Sequence, residues 1–204
     1  MSIEIDEQII EFEIIPLTFI RKDITSVFYA KNNKTLLQTF EYKKYIKLKS
    51  SLARKYDSHL DLGLGQFLKF IKESRDINYA KFLNRYGDEK FCEFKILTNL
   101  NDKGIYCYIV DNVIRYVGRC TDNFKKRINQ GYGKIHPKNC FLDGQATNCH
   151  INSLINSSDK VEFGIHIMTE KSSEEIRELE RIILKSNKYQ WNIQTSYASK
   201  KSRV

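Results

Sequence analysis

Two tyrosine-containing segments followed by basic residues are the part of the sequence whose side chains could do chemistry. The segments are GIY at 104–106 and YVGR at 116–119, and a helical pattern after them ends in KKR at 125–127. A tyrosine hydroxyl can exchange a proton with water or orient it, and a guanidinium group binds phosphate oxygens through paired N–H donors. The spacing therefore predicts a site that binds a phosphate group.

Two strands must position these side chains. Residues 104–110 and 114–118 are rich in β-branched and aromatic residues, which predicts a β-hairpin closed by a three-residue loop. In that register, one face of the hairpin carries Tyr106, Tyr108, Tyr116 and Gly118. Because Gly118 has no side chain, we expect it to let a ligand or a backbone approach the tyrosines closely.

A helix is predicted after the hairpin. Thr121 or Asp122 can cap it, and Phe124 and Ile128 define its buried side, with Arg127 next to them. The stretch around this helix carries Asp122 as its single acid, against seven basic residues: Arg115, Arg119, Lys125, Lys126, Arg127, Lys134 and Lys138. This one-signed stretch concentrates positive potential where a phosphate backbone could lie.

One carboxylate, Glu180, is predicted on the buried face of a second helix. The sequence SSEE at 172–175 fits a capping box, and the apolar positions after it are Ile176, Leu179, Ile182, Ile183 and Leu184. At about 100° per residue, Glu180 falls between Ile183 and Leu184. An inward-facing carboxylate is costly unless it meets a cation or a metal. An ion pair with an arginine and a metal site are therefore both open.

Five sequence elements in order resemble the motifs of the GIY-YIG nuclease domain. They are GIY at 104–106, YVG at 116–118, Arg127, Glu180 and Asn192. Considered without the resemblance, Asn192 beside Trp191 could be a turn amide, or could fix a substrate or the helix end. The resemblance covers residues 101–196. The ending WNIQ at 191–194 is most similar to the phage-type endonuclease II branch, and restriction endonucleases of the superfamily are another near comparison.

The resemblance implies an α+β domain with a small three-stranded antiparallel sheet flanked by helices. Residues 160–167 would form the third strand, and residues 148–155 the intervening helix. We expect this nuclease domain to occupy residues 101–204. The resemblance does not extend to residues 1–100.

The resemblance also implies a role for each motif residue in phosphodiester hydrolysis. Glu180 would hold a single Mg²⁺ or Mn²⁺, which acts as a Lewis acid at the phosphate. Arg127 would stabilise the phosphate in the transition state, and Arg119 would also contact it. Tyr106 would be the general base for water, and Tyr116 would orient water or phosphate. Asn192 would support the site through hydrogen bonds.

One position departs from the pattern of the family. Many members have His or Tyr four residues after the helix arginine, where this chain has Gly131. Either Tyr132 takes that role through a local shift, or the role moves to His136 or elsewhere. Residues 131–147 read as a long loop, and long loops are often functional. The predicted DNA contacts are Lys125, Lys126, Tyr132, Lys134, His136 and Lys138, with Gln145 also in the loop.

Residues 1–100 are predicted to form a separate, helix-rich region with a DNA-recognition or oligomerisation role. Residues 1–20 have an extended pattern, and residues 36–86 contain three segments with helical periodicity. Aromatic and basic residues are interleaved from Tyr42 to Lys55, as in a helix that contacts DNA bases or the DNA backbone. A solvated helix face explains the same pattern.

Composition limits the partners and the compartment. The formal charge is +9 and the pI is about 9.2, which favours a polyanionic partner. The first 13 residues contain no basic residue, and no apolar run is long enough to span a membrane, so we expect a cytoplasmic protein. The five cysteines favour reduced thiols over disulfides. A zinc site at His136, Cys140, Cys149 and His150 is less favoured because the CxxC spacing is missing.

Three classes of function follow from these patterns. We favour a metal-dependent DNA endonuclease, restriction-like or phage-type, that acts on double-stranded DNA. The alternatives are a non-catalytic nucleic-acid-binding module and a subunit of a repair complex whose N-terminal helices bind a partner. Because one active site cuts one strand at a time, double-strand cleavage would indicate a homodimer or homotetramer.

Overall fold

The computed structural model describes residues 1–5, 8–31 and 33–193. The chain forms two compact units, and each is built from separate stretches of sequence. The sheet unit contains residues 1–19, 94–130 and Ser158 onward, and the helical unit contains residues 20–93 and 131–157. This division does not follow the predicted boundary at residue 100. Residues 194–196, the end of the GIY-YIG resemblance, lie outside the described residues.

Eight strands occur in the part of the chain that the structure describes. They are β1 (Ser2–Ile5), β2 (Gln8–Glu11), β3 (Glu13–Ile15), β4 (Thr18–Ile24), β5 (Phe91–Lys95), β6 (Gly104–Val110), β7 (Val113–Cys120) and β8 (Glu162–Ile167). β1 pairs with β2, and β4 pairs with β5. The other four strands form one antiparallel sheet in the order β3-β8-β6-β7.

The helices vary in length and type. The α-helices are α1 (Leu36–Phe40), α2 (Ile46–Leu52), α3 (Leu64–Glu73), α4 (Ala146–Ser157) and α5 (Ser173–Ser186). Residues Lys125–Tyr132 form a π-helix, and short 3₁₀ turns occupy Val27–Ala30, Asp57–His59, Ile77–Phe82 and Pro137–Cys140. The predicted α+β class is confirmed. Within the described ranges, no helix has the length and apolar character needed to cross a bilayer.

The main sheet has four strands, which corrects the three-stranded prediction. The fourth strand is β3, which pairs with the edge of β8 that faces away from β6. Ile15 of β3 is buried and lies opposite Phe163. The pattern of residues 1–20 predicts that β3 is extended, but it does not predict that β3 pairs with β8. The two strands are about 150 residues apart, and such a pairing leaves no local signal in the sequence.

The hairpin of β6 and β7 has the predicted tyrosine register but a different turn. Its turn has two residues, Asp111 and Asn112, with φ of 53° and 58°. Positive φ at both central residues matches the twist of a tight hairpin. Arg115 is an extra, bulged residue, and past it Tyr108 pairs with Tyr116 as predicted. The turn is one residue shorter than predicted and the bulge adds one residue, so the tyrosine register is the predicted one.

The sheet unit buries one sheet face under α5 and the N-terminal hairpin. Ile176 and Ile183 of α5 are fully buried there, as the helical periodicity predicts. The rest of this core comprises Ile3, Ile5, Ile10, Phe12, Ile105, Cys107, Ile109, Val117 and Tyr189. The N-terminal strands therefore belong to the sheet unit, because their isoleucines cover the same apolar face.

The helical unit takes up residues 131–157, which the sequence assigned to the second domain. Ile135, Cys140, Phe141 and Cys149 from this segment join a core with residues of α1, α2 and α3. The predicted long loop is thus packed rather than free. All five cysteines are buried, and none of them lies in a disulfide. Among the described residues, no group of three or more His, Cys, Asp or Glu side chains could hold a metal.

The capping box of α5 generates a pH prediction. The Ser172 amide donates to Glu175 Oε2 at 2.8 Å, and this bond, with Lys171 nearby, lowers the Glu175 pKa from 4.5 to about 2. A carboxyl with a lowered folded-state pKa stabilises the fold above its unfolded pKa, and this contribution is lost as pH falls through the folded value. We therefore expect wild type to be more stable than Glu175→Gln at pH 7, with a gap that shrinks as pH falls from 4.5 toward 2.

Urea unfolding at a series of pH values measures this gap. Glu174→Gln is the control, because Glu174 lies in the same helical turn but outside the capping box. A gap that does not change with pH would contradict the assignment.

Candidate functional site

The six predicted catalytic residues all lie in the sheet unit, on two faces of the sheet. Cross-strand partners share a face, so Arg119, opposite Ile105, lies on the face that α5 covers. Tyr106, opposite Gly118, lies on the other face. The two groups approach each other at the end of β7, where Gly118 and Arg119 are neighbours in sequence.

The tyrosine face presents Tyr106 to Arg127. Arg127 Nε donates to the Tyr106 hydroxyl oxygen at 3.0 Å. The Tyr106 ring packs 6.1 Å from Tyr116 and 5.8 Å from Phe163, measured between ring centroids. Tyr106 has no exposed surface, so its hydroxyl is fixed against Arg127 rather than open to bulk water.

The π-helix positions Arg127. Phe124 and Ile128 are fully buried, as predicted, and hold the helix in place. Its N-terminus is capped by Asn123, whose Oδ1 accepts from the Lys126 amide at 2.9 Å, and not by the predicted Thr121 or Asp122. Asparagine is among the preferred N-cap residues, so this signal was available in the sequence.

The π-helix affects which residue could take the role that the family gives to His or Tyr at position 131, where this chain has glycine. A π-helix bonds each residue to the fifth one along, where an α-helix bonds it to the fourth. Tyr132 therefore follows Arg127 with the spacing that a residue at 131 would have in an α-helix. This is the local shift that the sequence left open, and the role of Tyr132 in place of Gly131 stays a prediction.

On the α5 face, Glu180 forms an ion pair with Arg119. The Arg119 guanidinium donates to Glu180 Oε2, and only 8% of Glu180 is exposed. Burial raises the Glu180 pKa, and the charges of Arg119 and, more weakly, Arg127 lower it. Of the two alternatives for an inward carboxylate, the ion pair with an arginine is therefore present. Arg127 is also near enough for its charge to act on Glu180.

Glu180 is the residue that could hold a metal ion here. Magnesium is often bound by one or two carboxylates, with water and substrate phosphate as its other ligands. A single carboxylate beside two arginines that can bind phosphate fits such a site. It does not fit a cage made wholly of protein ligands, because the described residues provide no cluster of three.

Asn192 supports the site through the backbone of β7. Its Oδ1 accepts from the Val117 amide at 3.0 Å, and its Nδ2 donates to the Val117 carbonyl at 2.8 Å. β7 is an edge strand, so the Asn192 amide takes the place of a neighbouring strand between Tyr116 and Gly118. Asn192 is a positioning residue in this arrangement.

Gly118 makes room for a tyrosine rather than for a ligand. A Cβ at this position would lie 2.6 Å from the Tyr106 hydroxyl oxygen and 2.8 Å from Tyr116 Cε1. A group does approach Gly118 closely, but it is the Tyr106 side chain and not the predicted ligand or backbone. The missing side chain therefore lets Tyr106 reach Arg127.

The predicted DNA contacts are divided between the units. Lys125 and Lys126 lie in the sheet unit, and the remaining four, Tyr132, Lys134, His136 and Lys138, lie in the helical unit. The side chains of Lys125, Lys126, Lys134, His136 and Lys138 are exposed. Tyr132 is fully buried, so we correct its assignment as a surface contact. Lys126 is paired with Asp122 at 2.8 Å and Lys134 with Glu93 at 3.6 Å.

Two further contacts were missed by sequence reasoning. The Trp191 amide donates to the Arg115 carbonyl at 2.8 Å, and Arg115 Nη1 donates to Gln190 Oε1 at 2.8 Å. They extend the pairing that Asn192 makes along the edge of β7. No local pattern predicts them, because the partners are 75 or 76 positions apart.

Comparisons with known proteins add no relative. No protein-family model, curated protein or solved structure matches the chain. The resemblance to GIY-YIG nucleases therefore rests on the motif residues alone.

The contact between Gly118 and Tyr106 predicts a steric effect. In Gly118→Ala, the new methyl group displaces the Tyr106 ring and breaks its bond with Arg127. We expect a loss of about 1–3 kcal/mol in unfolding free energy, as for other overpacked cores. Urea denaturation of Gly118→Ala, Tyr106→Leu and the double variant measures the coupling. The double variant should lose less than the sum of the single losses, and strict additivity would contradict the contact.

The Asn192 clamp predicts a local effect on β7. Asn192→Ala removes both bonds to Val117, whereas Asn192→Asp keeps an acceptor for the Val117 amide. We expect amide hydrogen exchange at Val117 to be fastest in Asn192→Ala and intermediate in Asn192→Asp. Gln190→Ala is the control, because it removes only the exposed bond to Arg115. Unchanged Val117 exchange in Asn192→Ala would refute the clamp.

Proposed function

We propose that the protein is a metal-dependent DNA endonuclease that hydrolyses phosphodiester bonds. The observation that carries the proposal is a nearly buried carboxylate, Glu180, paired with Arg119 at the strand end where Arg127 bonds Tyr106. Two permanent cations, one carboxylate and a phenol at one strand end are the groups that phosphodiester hydrolysis needs. The order of the GIY-YIG motifs supports the same conclusion.

The arginines would bind and neutralise the phosphate. A guanidinium group stays charged at all working pH values and matches phosphate oxygens with paired donors. Arg127 is held by Tyr106, so little reorganisation is needed when charge develops on the phosphate. The Arg119 side chain is 36% exposed, which leaves a substrate phosphate room to compete with Glu180 for it.

Glu180 would hold the metal once Arg119 turns to the phosphate. The bound Mg²⁺ or Mn²⁺ ion would supply a Lewis acid at the phosphate and the leaving oxygen. Until then, the ion pair with Arg119 offsets part of the cost of burying the carboxylate. Asn192 would keep Tyr116 and Gly118 in place through the Val117 backbone.

The tyrosines divide into a buried group and a less buried one. Tyr106 would accept the proton of the attacking water only after water reaches its hydroxyl, because the side chain has no exposed surface. Tyr116 retains 6% exposure and would orient water or phosphate. Substrate binding must therefore bring a water molecule to the Tyr106 hydroxyl, whose oxygen can accept from that water while it still accepts from Arg127 Nε.

The substrate proposed here is double-stranded DNA, cut one strand at a time by each site. Site preference of the restriction or phage type would depend on parts of the chain outside the motifs. Double-strand cleavage would then require a homodimer or homotetramer.

A non-catalytic nucleic-acid-binding module is the second candidate. The contacts of Glu180 and Tyr106 favour this binding module, because Glu180 is already paired with Arg119 and Tyr106 has no exposed surface. Such a module would bind DNA through the same arginines without cutting it.

Plasmid nicking in Mg²⁺ or Mn²⁺ separates the two candidates. We expect wild type to nick a mixed-sequence plasmid, and Glu180→Gln and Arg127→Ala each to lose about 100-fold or more in rate. The control is Glu178→Gln, since Glu178 lies on the exposed side of α5 and bonds Arg181. DNA binding by Glu180→Gln should persist. Absence of metal-dependent nicking by wild type, with DNA binding retained, would favour the binding module.

A further inference from the structure

A group of lysines without carboxylate partners lies on the helical unit. Its members are Lys31, Lys34, Lys44 and Lys138, which we call the lysine surface. Within residues 1–5, 8–31 and 33–193, none of these ammonium groups forms an ion pair. Several cations elsewhere in the unit are paired: Arg21 and Lys134 with Glu93, Lys55 with Asp76, Lys69 with Glu73, Lys72 with Asp88, and Lys90 with Asp23. What distinguishes the lysine surface is that its members gather around Phe141 and Leu142.

The members of the lysine surface are held against aromatic and backbone groups. Lys31 Nζ lies 4.4 Å from the ring centroid of Phe141, which is itself fully buried. Lys34 Nζ lies 3.8 Å from the ring centroid of Tyr42 and bonds its hydroxyl. Lys44 Nζ donates to the Leu142 carbonyl at 3.0 Å. Separate chain segments thus bring positive charge to one place.

Like charges within the lysine surface are close enough to act on each other. Burial lowers the Lys31 pKa most, and the charges of Lys34 and Lys138 lower it further. Asp143 is the acid that counters them, and it also accepts a hydrogen bond from the Tyr45 hydroxyl at 2.7 Å. One carboxylate does not balance the cations, so an added anion would relieve their repulsion.

We propose that Lys31, Lys34, Lys44 and Lys138 bind the phosphate backbone of duplex DNA. The choice of DNA as the polyanion rests on the proposed function, whereas the charge imbalance does not depend on it. Lysine binds phosphate as a point charge and does not read bases in a fixed planar geometry. Lys34 covers one face of the Tyr42 ring, and that face is closed to stacking by single-stranded bases.

The structure also refines which predicted contacts take part. Lys138 belongs to the lysine surface, because its backbone carbonyl accepts from the amide of Phe141, the residue whose ring Lys31 covers. Lys134, predicted from the same loop, is paired with Glu93 and is left out. We expect the lysine surface to add affinity without sequence preference.

The test compares two triple variants of the full chain. The first, Lys31→Gln/Lys34→Gln/Lys138→Gln, keeps the apolar stems and removes the charges. Lys44 is retained, because its ammonium holds the Leu142 carbonyl. The control, Lys69→Gln/Lys81→Gln/Lys90→Gln, removes three charges from exposed lysines of the same unit, so the net charge changes equally in the two variants.

Fluorescence anisotropy with a random-sequence DNA duplex gives Kd over a range of NaCl concentrations. We expect the first variant to weaken binding about tenfold at low salt and to reduce the slope of log K against log salt by about 1 to 3. The control should stay within about twofold of wild type. Equal effects of the two variants, or no effect of the first, would overturn the proposal, as would tighter binding of duplex RNA than of DNA.

Two further measurements keep the outcome interpretable. If the first variant does not fold, as judged by thermal denaturation, Lys34→Gln/Lys138→Gln replaces it, because it keeps Lys31 on the Phe141 ring. This double variant should still weaken binding and lower the salt slope by about 1 to 2, and wild-type affinity and slope would overturn the proposal. Plasmid nicking by wild type is measured separately. Weakened binding by the glutamine variant with no nicking by wild type supports the lysine surface and refutes the nuclease. Nicking with unchanged binding refutes the lysine surface alone.

Discussion

The burial of Glu180 constrains much of the sheet unit. α5 can bury Ile176 and Ile183 against the sheet only if Glu180, on the same side, turns inward with them. A buried carboxylate needs a cation, and Arg119 supplies it because it shares the sheet face that α5 covers. Strand alternation then directs Gly118 to the opposite face, where Tyr106 fills the space and meets Arg127. Both faces thus bring charge to the same strand end.

The edge position of β7 is a second constraint on the structure of the sheet unit. An edge strand leaves backbone N–H and C=O groups without partners, and the chain satisfies those of Val117 with the side-chain amide of Asn192. The Trp191 amide adds a bond to the Arg115 carbonyl. The residues after α5 therefore fix the strand that carries Tyr116, Gly118 and Arg119. This explains how an asparagine far from the arginines in sequence belongs to the same site.

Several parts of the fold and the site follow from local sequence. The alternation of residues in β6 and β7 predicts the tyrosine face, and the helical period of α5 predicts that Glu180 turns inward. The predicted three-residue turn is wrong, because the structure combines a two-residue turn with a bulge at Arg115. Both arrangements give the same tyrosine register, and a bulge leaves no clear local pattern. The added strand β3 and the packing of residues 131–157 in the helical unit depend on pairings distant in sequence.

The sequence by itself determined the side-chain types, their faces and the excess of positive charge. Periodicity specifies these because a strand repeats every two residues and a helix about every 3.6. Only the tertiary structure decided the partners: Arg119 for Glu180, Tyr106 for the space above Gly118, and Val117 for Asn192. It also decided which lysines lack acids, since an ion pair depends on the distance between folded segments. The periodicity of a strand or helix predicts the direction of a side chain, whereas tertiary packing determines which residue that side chain contacts.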